Sequence, residues 1–301
     1  MAGKVKILVV DDVFIEPLKR LPTNKFTVSV KKGISNEDIL KLRADVLAIR
    51  STRKLNKDFL EKFYGSMIAT FTKGLDHIDT EFAKRRGIVI INSSEGNSQS
   101  AAEHTLMLML AASKNLILSD RIVRKDKFKK LDYNRTELFG KTVGIIGYGS
   151  IGKRVGMLCK AFSMDVIAND IDKNVASKNK NVTFKSVNYL LRNSDFVTLH
   201  IPLDGNFNFL SKEKLSLLKE DCILVNTSRG EVIDENHLIK MLKTHKIRSA
   251  ALDVFRGEPE INPLLFRHDN IILSNHVAGK TKESKRRISE DITLKILTHF
   301  K

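Results

Sequence analysis

A glycine-rich segment between an apolar, β-branched run and an amphipathic stretch limits the fold of this chain more than any other feature. It has the spacing G-x-G-x-x-G and reads Gly147-Tyr148-Gly149-Ser150-Ile151-Gly152. The run before it, Thr142–Ile146, predicts a strand, and the stretch after it, Lys153–Phe162, predicts a helix. Strand, glycine turn and helix in this order are typical of a doubly wound parallel sheet that binds a dinucleotide.

Each glycine meets a different steric demand of such a turn. Gly147 permits the tight turn, Gly149 lets the backbone approach a pyrophosphate, and Gly152 lets helix and strand pack closely. The start of the following helix offers N–H groups and a partial positive charge to the phosphates. Asp170 follows the next predicted strand, where an acid can accept hydrogen bonds from the ribose hydroxyls and repel a 2′-phosphate. We therefore expect NAD rather than NADP, with Asp172 as an alternative to Asp170 in this role.

The rest of the chain alternates short apolar runs with amphipathic stretches, which predicts parallel α/β units. The first unit is predicted to have strands at Lys6–Val10, Thr27–Lys31, Val46–Arg50, Met67–Thr70 and Ile88–Ile91. Its predicted helices are Ile15–Leu21, Asn36–Leu42, Lys57–Phe63 and Thr80–Arg86, with Asn36 and Asp58 as capping residues. The second unit is predicted to have strands at Thr142–Ile146, Asp165–Ala168, Phe196–His200, Cys222–Asn226, Ser249–Asp253 and Ile271–Ser274. Longer helices are predicted at Ser98–Leu118 and Lys282–Phe300.

Composition restricts the class of protein. A length of 301 residues suits two domains, and no apolar run approaches the roughly 18 residues that span a bilayer. The N-terminal apolar run is too short for a signal peptide. Cys159 and Cys222 lie within apolar patterns and lack metal-ligand spacing, so we expect two buried thiols and no metal site. These features predict a soluble cytoplasmic protein.

The net charge of +17 leaves the partner open between nucleic acid, an anionic substrate and a lysine-rich surface. The densest basic stretch, Arg121–Arg135, contains Phe128 and Tyr133 but no interleaved stacking pattern. We interpret it as a solvated linker rather than a nucleic-acid surface.

Three further polar segments follow predicted strands of the second unit, where doubly wound sheets place their sites. They are Asn226-Thr227-Ser228-Arg229-Gly230, Ala251-Leu252-Asp253-Val254-Phe255-Arg256-Gly257-Glu258-Pro259 and Ser274-Asn275-His276-Val277-Ala278-Gly279-Lys280-Thr281. Together with the turn His200-Ile201-Pro202, they make the chain resemble the D-isomer-specific 2-hydroxyacid dehydrogenases over essentially its whole length.

The resemblance implies a role for each of these polar residues. Arg229 would clamp the substrate carboxylate and polarise the 2-oxygen, which a bidentate guanidinium does better than lysine. His276 would be the general acid/base, and Glu258 would bind its imidazole and favour the protonated form. Asp253 matches the family position that contacts the nicotinamide carboxamide. His200, Pro202 and Thr227 would complete the cofactor site.

The resemblance also implies that loops of the first unit contact the substrate. The candidates are Arg50, Ser51, Lys73, Gly74 and Asn97, with Arg53 and Lys54 as further cations. Arg50, Arg53, Lys54 and Lys73 would suit a substrate with a second anionic group. Gly96-Asn97-Ser98-Gln99-Ser100-Ala101-Ala102-Glu103 and Thr281-Lys282-Glu283 are closest to 3-phosphoglycerate dehydrogenases, although Phe71-Thr72-Lys73-Gly74 has fewer glycines than the family loop.

We therefore expect NAD-dependent oxidation of D-3-phosphoglycerate to 3-phosphohydroxypyruvate, a step of serine biosynthesis. The alternatives are a glyoxylate/hydroxypyruvate reductase and, in another class, a dinucleotide-sensing corepressor. The resemblance implies a substrate domain formed by residues 1–97 and 281–301, with an NAD-binding domain at 98–280 inserted in it. It also implies a homodimer packed through the helix Ser98–Leu118 and the basic linker. We expect no regulatory domain beyond the terminal helix.

Overall fold

The computed structural model describes residues 3–126, 128 and 134–301. The chain divides into two compact units. Unit 1 consists of the residues up to Ser98 together with Lys280–Lys301, and unit 2 is Gln99–Gly279. Each unit is built on a sheet of parallel strands that alternate with helices, so the predicted α/β class with two parallel-sheet domains is confirmed.

The strands are β1 (Val5–Val9), β2 (Phe26–Val30), β3 (Val46–Ile49), β4 (Met67–Thr70), β5 (Val89–Asn92), β6 (Thr142–Ile146), β7 (Asp165–Asn169), β8 (Thr183–Phe184), β9 (Phe196–Leu199), β10 (Ile223–Asn226), β11 (Ser249–Leu252) and β12 (Ile271–Leu273). The helices are α1 (Glu16–Lys19), α2 (Asn36–Lys41), α3 (Lys57–Lys62), α4 (Thr80–Arg85), α5 (Ser98–Ser113), α6 (Leu116–Asp126), α7 (Ser150–Ala161), α8 (Lys173–Lys178), α9 (Val187–Asn193), α10 (Lys212–Leu215), α11 (Glu235–Lys243) and α12 (Lys282–His299). Gly230–Val232 and Pro263–Arg267 form short 3-10 helices.

The sheet of unit 1 has the strand order β2-β1-β3-β4-β5, with every pair parallel. All residues of β3 and β4 are buried, as expected of central parallel strands that are covered on both faces. Helix α12 packs against this sheet through Ile288, Ile292 and Ile296. It begins with a capping box in which the Thr281 hydroxyl accepts from the backbone N–H of Ser284.

The sheet of unit 2 has the order β12-β11-β10-β9-β6-β7-β8, again parallel throughout. The chain runs outward from β6 through β7 to β8 and then returns to place β9 on the other side of β6. A sheet of this kind binds ligands at the carboxyl ends of the strands beside this reversal. The glycine turn follows β6 and therefore lies at that place.

Two predicted helix caps are wrong. Asn36 is the first residue of α2, and the cap is Ser35, whose hydroxyl accepts from the Asp38 N–H. Asp58 lies inside α3, and the Asn56 side chain caps that helix. A capping residue must keep an extended backbone just before the first helical turn, and Ser35 and Asn56 do so.

The single helix predicted at Ser98–Leu118 is wrong as well, because α5 ends at Ser113 and α6 begins at Leu116. Asn115 between them has a φ of +52°, a left-handed conformation that ends an α-helix. Sequence patterning did not reveal the break because the short polar run Ser113-Lys114-Asn115 also fits an uninterrupted helix.

The basic stretch Arg121–Arg135 is only partly described. It starts within α6, where Arg124 pairs with Asp120 and Arg121 pairs with Asp269 at 2.7 Å. The predicted linker is therefore helical at its beginning, while Tyr133 and most of the segment before it lie outside the described residues.

The two cysteines are free thiols in the core of unit 2, as predicted. Burial raises the pKa of both Cys159 and Cys222 to about 12, so neither thiol ionises near neutral pH. Within the described residues, no helix is long and apolar enough to cross a membrane, and no group of side chains has the make-up of a metal site.

Candidate active site

The glycine turn joins β6 to α7, and α7 begins at Ser150, three residues before the predicted start. Gly147 has a φ of +88°, a conformation that residues with a side chain rarely adopt. A methyl group on Gly152 would lie 2.1 Å from the carbonyl oxygen of Gly147. The tight turn and the close helix–strand packing thus require these two glycines.

Gly149 has a different environment, because no described atom lies within 4 Å of the position that a Cβ would take there. It is the N-cap residue of α7 and supplies no side chain to the helix start. This leaves an open backbone surface at a helix N-terminus, where a pyrophosphate can approach the N–H groups. The turn therefore fits a dinucleotide.

Asp170 follows β7 and is bonded to the glycine turn itself. Its carboxylate accepts from the backbone N–H of Tyr148 at 2.7 Å and from that of Asp172 at 2.9 Å. Asp172 instead caps α8 by accepting from the N–H of Asn174. Asp172 thus caps a helix, whereas Asp170 is bonded to the glycine turn. This difference favours Asp170 over Asp172 for the predicted contact with the ribose.

The turn His200-Ile201-Pro202 follows β9, the strand beside β6. The backbone N–H of His200 donates to the carbonyl of Ile146 at 2.8 Å. A Cβ on Gly147 would come within 2.7 Å of the carbonyl oxygen of His200. The two loops are therefore packed backbone against backbone, and Pro202 is exposed beyond them.

Arg229 follows β10 and is held by Asn226, the last residue of that strand. The Asn226 amide donates to the Arg229 carbonyl at 2.8 Å, and its oxygen accepts from the N–H and hydroxyl of Ser228. The Arg229 guanidinium donates to the Ser228 carbonyl at 2.8 Å. Asn226 therefore shapes the loop that presents Arg229, a role that its place at the strand end did not reveal.

His276 and Glu258 form an ion pair or hydrogen bond, with Nδ1 of the histidine 2.7 Å from Oε2 of the glutamate. The other carboxylate oxygen accepts from the Phe255 N–H at 2.8 Å. Burial raises the pKa of Glu258, but the hydrogen bonds from His276 and Phe255 outweigh it and bring the pKa below its ordinary value. With Nδ1 engaged, Nε2 is the ring nitrogen that can exchange a proton with a ligand.

The backbone of His276 has a φ of +52°, which is uncommon for a residue with a side chain. Its N–H donates to the carbonyls of Asp253 at 2.8 Å and Ser274 at 3.1 Å. These bonds hold the histidine in a conformation that it would rarely adopt by itself.

The Asp253 side chain is completely buried beneath this loop. Its carboxylate accepts from the Ser274 hydroxyl at 2.6 Å and from the N–H groups of Val277 at 3.0 Å and Ala278 at 2.9 Å. Burial raises the pKa of Asp253, yet hydrogen bonds from His104, Ser274 and these N–H groups lower it to about 2. Asp253 therefore anchors the histidine loop, and its contact with a nicotinamide stays a prediction.

Arg229, Glu258 and His276 lie in loops after β10, β11 and β12, which are neighbours in the sheet of unit 2. The structure thus places the three predicted catalytic residues at one edge of one sheet. A guanidinium and a carboxylate-bound imidazole at such an edge can bind an acid anion and move a proton.

In unit 1, Asp11 organises the loop that contains Arg50 and Ser51. Its carboxylate accepts from the Arg50 N–H at 2.7 Å and pairs with the guanidinium of Arg53 at 3.3 Å. Arg53 also donates to Ile34 and to the Asn36 side chain, and its own side chain is only 15% exposed. The Arg53 side chain therefore stabilises the fold of unit 1, and it is not a candidate for binding the second anionic group of a substrate.

The loop that contains Lys73 and Gly74 is held by one hydroxyl and one side-chain amide. The Thr72 hydroxyl donates to the Gly74 carbonyl at 3.0 Å, and the Asn92 side chain donates to the Lys73 carbonyl at 2.7 Å. Thr72 stands where the sequence departs from the glycine-rich family loop, and its hydroxyl stiffens the turn that replaces it. In the same unit, the Asn97 side-chain oxygen is buried with no hydrogen-bond partner among the described residues.

His77 and His104 have different surroundings. His77 is buried and bonded to the Thr70 hydroxyl at 3.0 Å, as expected of a structural histidine. His104 has a partner outside its own helix, because Nε2 lies 3.0 Å from the Ser274 hydroxyl. The signal in the sequence was the polar run Glu103-His104-Thr105, which precedes the apolar part of the helix.

Residues 106–278 match the family described as D-isomer specific 2-hydroxyacid dehydrogenase, NAD binding domain. The chain belongs to this family. Unit 2 contains the whole matched region, including the glycine turn and the Arg229, Glu258 and His276 loops.

Several 2-hydroxyacid dehydrogenases named for different substrates are similar to the chain. It is 38% identical over 288 residues to D-3-phosphoglycerate dehydrogenase of Methanocaldococcus jannaschii, covering 94% of this chain and 55% of that protein. It is 32% identical over 295 residues to hydroxypyruvate reductase of Thermotoga maritima, covering 95% and 96%. The structure of D-lactate dehydrogenase from Aquifex aeolicus complexed with NAD and lactic acid matches at a TM-score of 0.84 and 26% identity, covering 98% and 95%. The chain spans about half the length of the curated phosphoglycerate dehydrogenases that it matches.

Proposed function

We propose that this chain is an NAD-dependent oxidoreductase that transfers a hydride between a D-2-hydroxy acid and NAD. The 2.7 Å contact between His276 and Glu258 carries the proposal, because it places an oriented imidazole at the same sheet edge as Arg229. Acid–base and anion-binding groups beside a dinucleotide turn are what reversible oxidation of a hydroxy acid requires.

The roles of the three residues follow from their chemistry. NAD held at the glycine turn would supply the hydride acceptor for oxidation and, in its reduced form, the hydride donor for reduction. Arg229 binds the acid carboxylate and polarises the 2-oxygen through its planar fork of donors. His276 takes the hydroxyl proton at Nε2 during oxidation and returns it during reduction. Glu258 orients the ring and stabilises its charged form.

The proposed cofactor contacts lie on the loops after β6, β7, β9, β10 and β11. The backbone of the glycine turn, from Gly147 through Tyr148, Gly149, Ser150 and Ile151 to Gly152, binds the pyrophosphate. Asp170 binds the ribose hydroxyls and thereby favours NAD over NADP. We propose His200, Pro202, Thr227 and Asp253 as contacts toward the nicotinamide end.

We propose D-3-phosphoglycerate as the hydroxy acid and 3-phosphohydroxypyruvate as the product, which places the enzyme in serine biosynthesis. The support is that relatives at 38%, 34% and 33% identity are named D-3-phosphoglycerate dehydrogenases. Arg50 and Lys73 are proposed partners of the phosphate, with Ser51, Gly74 and Asn97 as further substrate contacts.

A glyoxylate or hydroxypyruvate reductase is the second candidate. The observation in its favour is that the hydroxypyruvate reductase of Thermotoga maritima and the glyoxylate reductase of Pyrococcus horikoshii are both 32% identical to the chain. Both candidates use the same acid–base site and differ in whether the far end of the substrate carries a phosphate.

Initial rates with purified protein distinguish the two. We expect NADH oxidation with 3-phosphohydroxypyruvate at a kcat/KM at least 10-fold above that with hydroxypyruvate, glyoxylate or pyruvate. The His276→Gln variant is the control and should lose turnover with every acid. Preference for glyoxylate would move the assignment to the second candidate, and a wild-type protein inert on all acids would favour a corepressor-like role.

We further propose a homodimer, packed through α5 and α6, in the cytoplasm. The support is that Met107 on α5 and Leu116, Ile117 and Val123 on α6 have exposed apolar side chains. The two buried thiols fit a reducing compartment. Light scattering that gives the mass of one chain would contradict the dimer.

A further inference from the structure

Helix α5 carries two neighbouring polar side chains that reach loops of the proposed active site. His104 Nε2 lies 3.0 Å from the Ser274 hydroxyl, in the loop before His276. Thr105 Oγ1 lies 3.0 Å from the hydroxyl of Thr227, in the loop before Arg229. All of these residues belong to unit 2. One turn of one helix thus touches two loops of the proposed site.

The direction of the hydrogen bonds follows from the number of protons. The Ser274 hydroxyl lies 2.6 Å from Asp253 Oδ1 and donates to it, because a carboxylate with a pKa of about 2 has no proton to give near neutral pH. A hydroxyl has one hydrogen, so toward His104 it can only accept. His104 therefore donates from Nε2, which also lies 3.5 Å from the same Asp253 oxygen.

Asp253 in turn is hydrogen-bonded to the backbone around His276. Its carboxylate accepts from the N–H groups of Val277 and Ala278, and its carbonyl accepts from the N–H of His276. Hydrogen bonds thus run from the His104 ring through Ser274 to the Asp253 carboxylate and on to the two N–H groups that follow His276. Moving the carboxylate would loosen these two backbone bonds in the loop that presents the acid–base group.

We propose that His104 is a positioning residue for the reaction, which fixes Ser274 and Asp253 so that His276 keeps its orientation toward Glu258. The inference rests on the proposed function in giving His276 the acid–base role. A donor on the helix is what the position requires, because the partly buried Ser274 oxygen would otherwise lose the N–H that it accepts from, although its hydroxyl would still donate to Asp253. Glutamine presents an N–H at a similar reach, whereas phenylalanine fills the space without a donor.

The test compares His104→Phe, His104→Gln and the wild type. The matched control is His237→Phe, which removes a histidine–serine contact on α11. We expect His104→Phe to lower kcat by roughly 10-fold, the effect of one lost hydrogen bond to a charge-bearing network. The KM for the acid and the Kd for ADP-ribose, which lacks the nicotinamide, should stay within about twofold. His104→Gln should restore most of kcat, and His237→Phe should match the wild type.

Two results would overturn the proposal. One is wild-type kcat in His104→Phe. The other is that ADP-ribose affinity and melting temperature fall together with kcat in His104→Phe and that His104→Gln does not restore them. This result would show a packing role only.

Amide hydrogen exchange keeps the test independent of turnover. We expect the N–H groups of Val277 and Ala278 to exchange at least 10-fold faster in His104→Phe than in the wild type, while amides of α7 are unchanged. Equal exchange in the two proteins would refute the proposal. Faster exchange in a protein that turns over no acid would uphold the loop contact and refute the proposed function instead.

Discussion

Nδ1 of His276 lies 2.7 Å from Oε2 of Glu258, and the second oxygen of this carboxylate accepts from the N–H of Phe255 in its own loop. The glutamate is thus oriented before it meets the histidine. Since these hydrogen bonds outweigh burial and lower the pKa of Glu258, the carboxylate stays charged near neutral pH and favours a charged imidazole.

Replacement of this glutamate by its amide isolates the effect of charge. Reduction of a 2-oxo acid needs a protonated imidazole, and Glu258→Gln removes the anion that favours it. We expect kcat for reduction to drop roughly 10-fold near pH 8 and by less toward pH 5.5. The measurement is kcat for reduction between pH 5.5 and 9.5 in both proteins. Superimposable profiles would show that the carboxylate only orients the ring.

The glycine turn offers a matched pair of substitutions with opposite outcomes. Gly149→Ala places a methyl group in open space at a negative φ, so we expect an unchanged melting temperature and a loss of NADH affinity of about 100-fold. Gly152→Ala places its methyl group 2.1 Å from a carbonyl oxygen, so we expect a clearly lower melting temperature. Calorimetry and NADH fluorescence titration test both variants. Equal destabilisation by the two would contradict the assignment of the open face to the pyrophosphate.

The fold was predictable because the residues of each strand and helix form a recognisable pattern within a few positions of the sequence. The apolar runs of β4 and β6 are buried and bounded by polar turns, and their predicted ends agree with the structure. Strand β8 has two residues, Thr183 and Phe184, and such a length leaves no periodic signal. The break at Asn115 was missed because its cause is one left-handed residue, and the three polar residues around it also fit an uninterrupted helix.

The candidate site was predictable only in part. Arg229, Glu258 and His276 stand after strands, and the order of strands in a doubly wound sheet brings them to one edge. The role of His104 depends on a contact with Ser274 across 170 positions of the chain, which no local pattern encodes. Arg53 is the opposite case, a residue that the sequence predicted as a substrate cation but that has a structural role. Its guanidinium is paired with the buried carboxylate of Asp11.

Substitutions of Asp170 and Asp172, the two acids after β7, should separate the effects of cofactor binding and helix capping. Asp172→Ala removes the cap of α8, so we expect a loss of about 1 kcal/mol in the free energy of unfolding and an NADH affinity within twofold of the wild type. Asp170→Ala should weaken NADH at least 10-fold and raise the preference for NADPH over NADH, because the carboxylate that repels a 2′-phosphate is gone. Fluorescence titration with both dinucleotides and urea unfolding provide the data. An NADH affinity that falls in Asp172→Ala and not in Asp170→Ala would exchange the two roles.

Asp253 should make the stability of the protein depend on pH in a narrow acidic range. Its pKa is about 2 in the folded protein, against an ordinary value of 3.8, so the charged form stabilises the fold. This contribution is complete above the ordinary value and is lost as the pH falls toward the folded value. It amounts to about 2 kcal/mol in total, of which about 1 kcal/mol is lost between pH 5 and pH 3. Asp253→Asn cannot titrate at this position, while the other carboxylates titrate in both proteins. The difference in free energy of unfolding between wild type and variant, measured by urea at pH 7, 5 and 3, should therefore be constant from pH 7 to 5 and shrink at pH 3. A difference that is the same at all three values would mean that the buried carboxylate is not the anchor of the His276 loop.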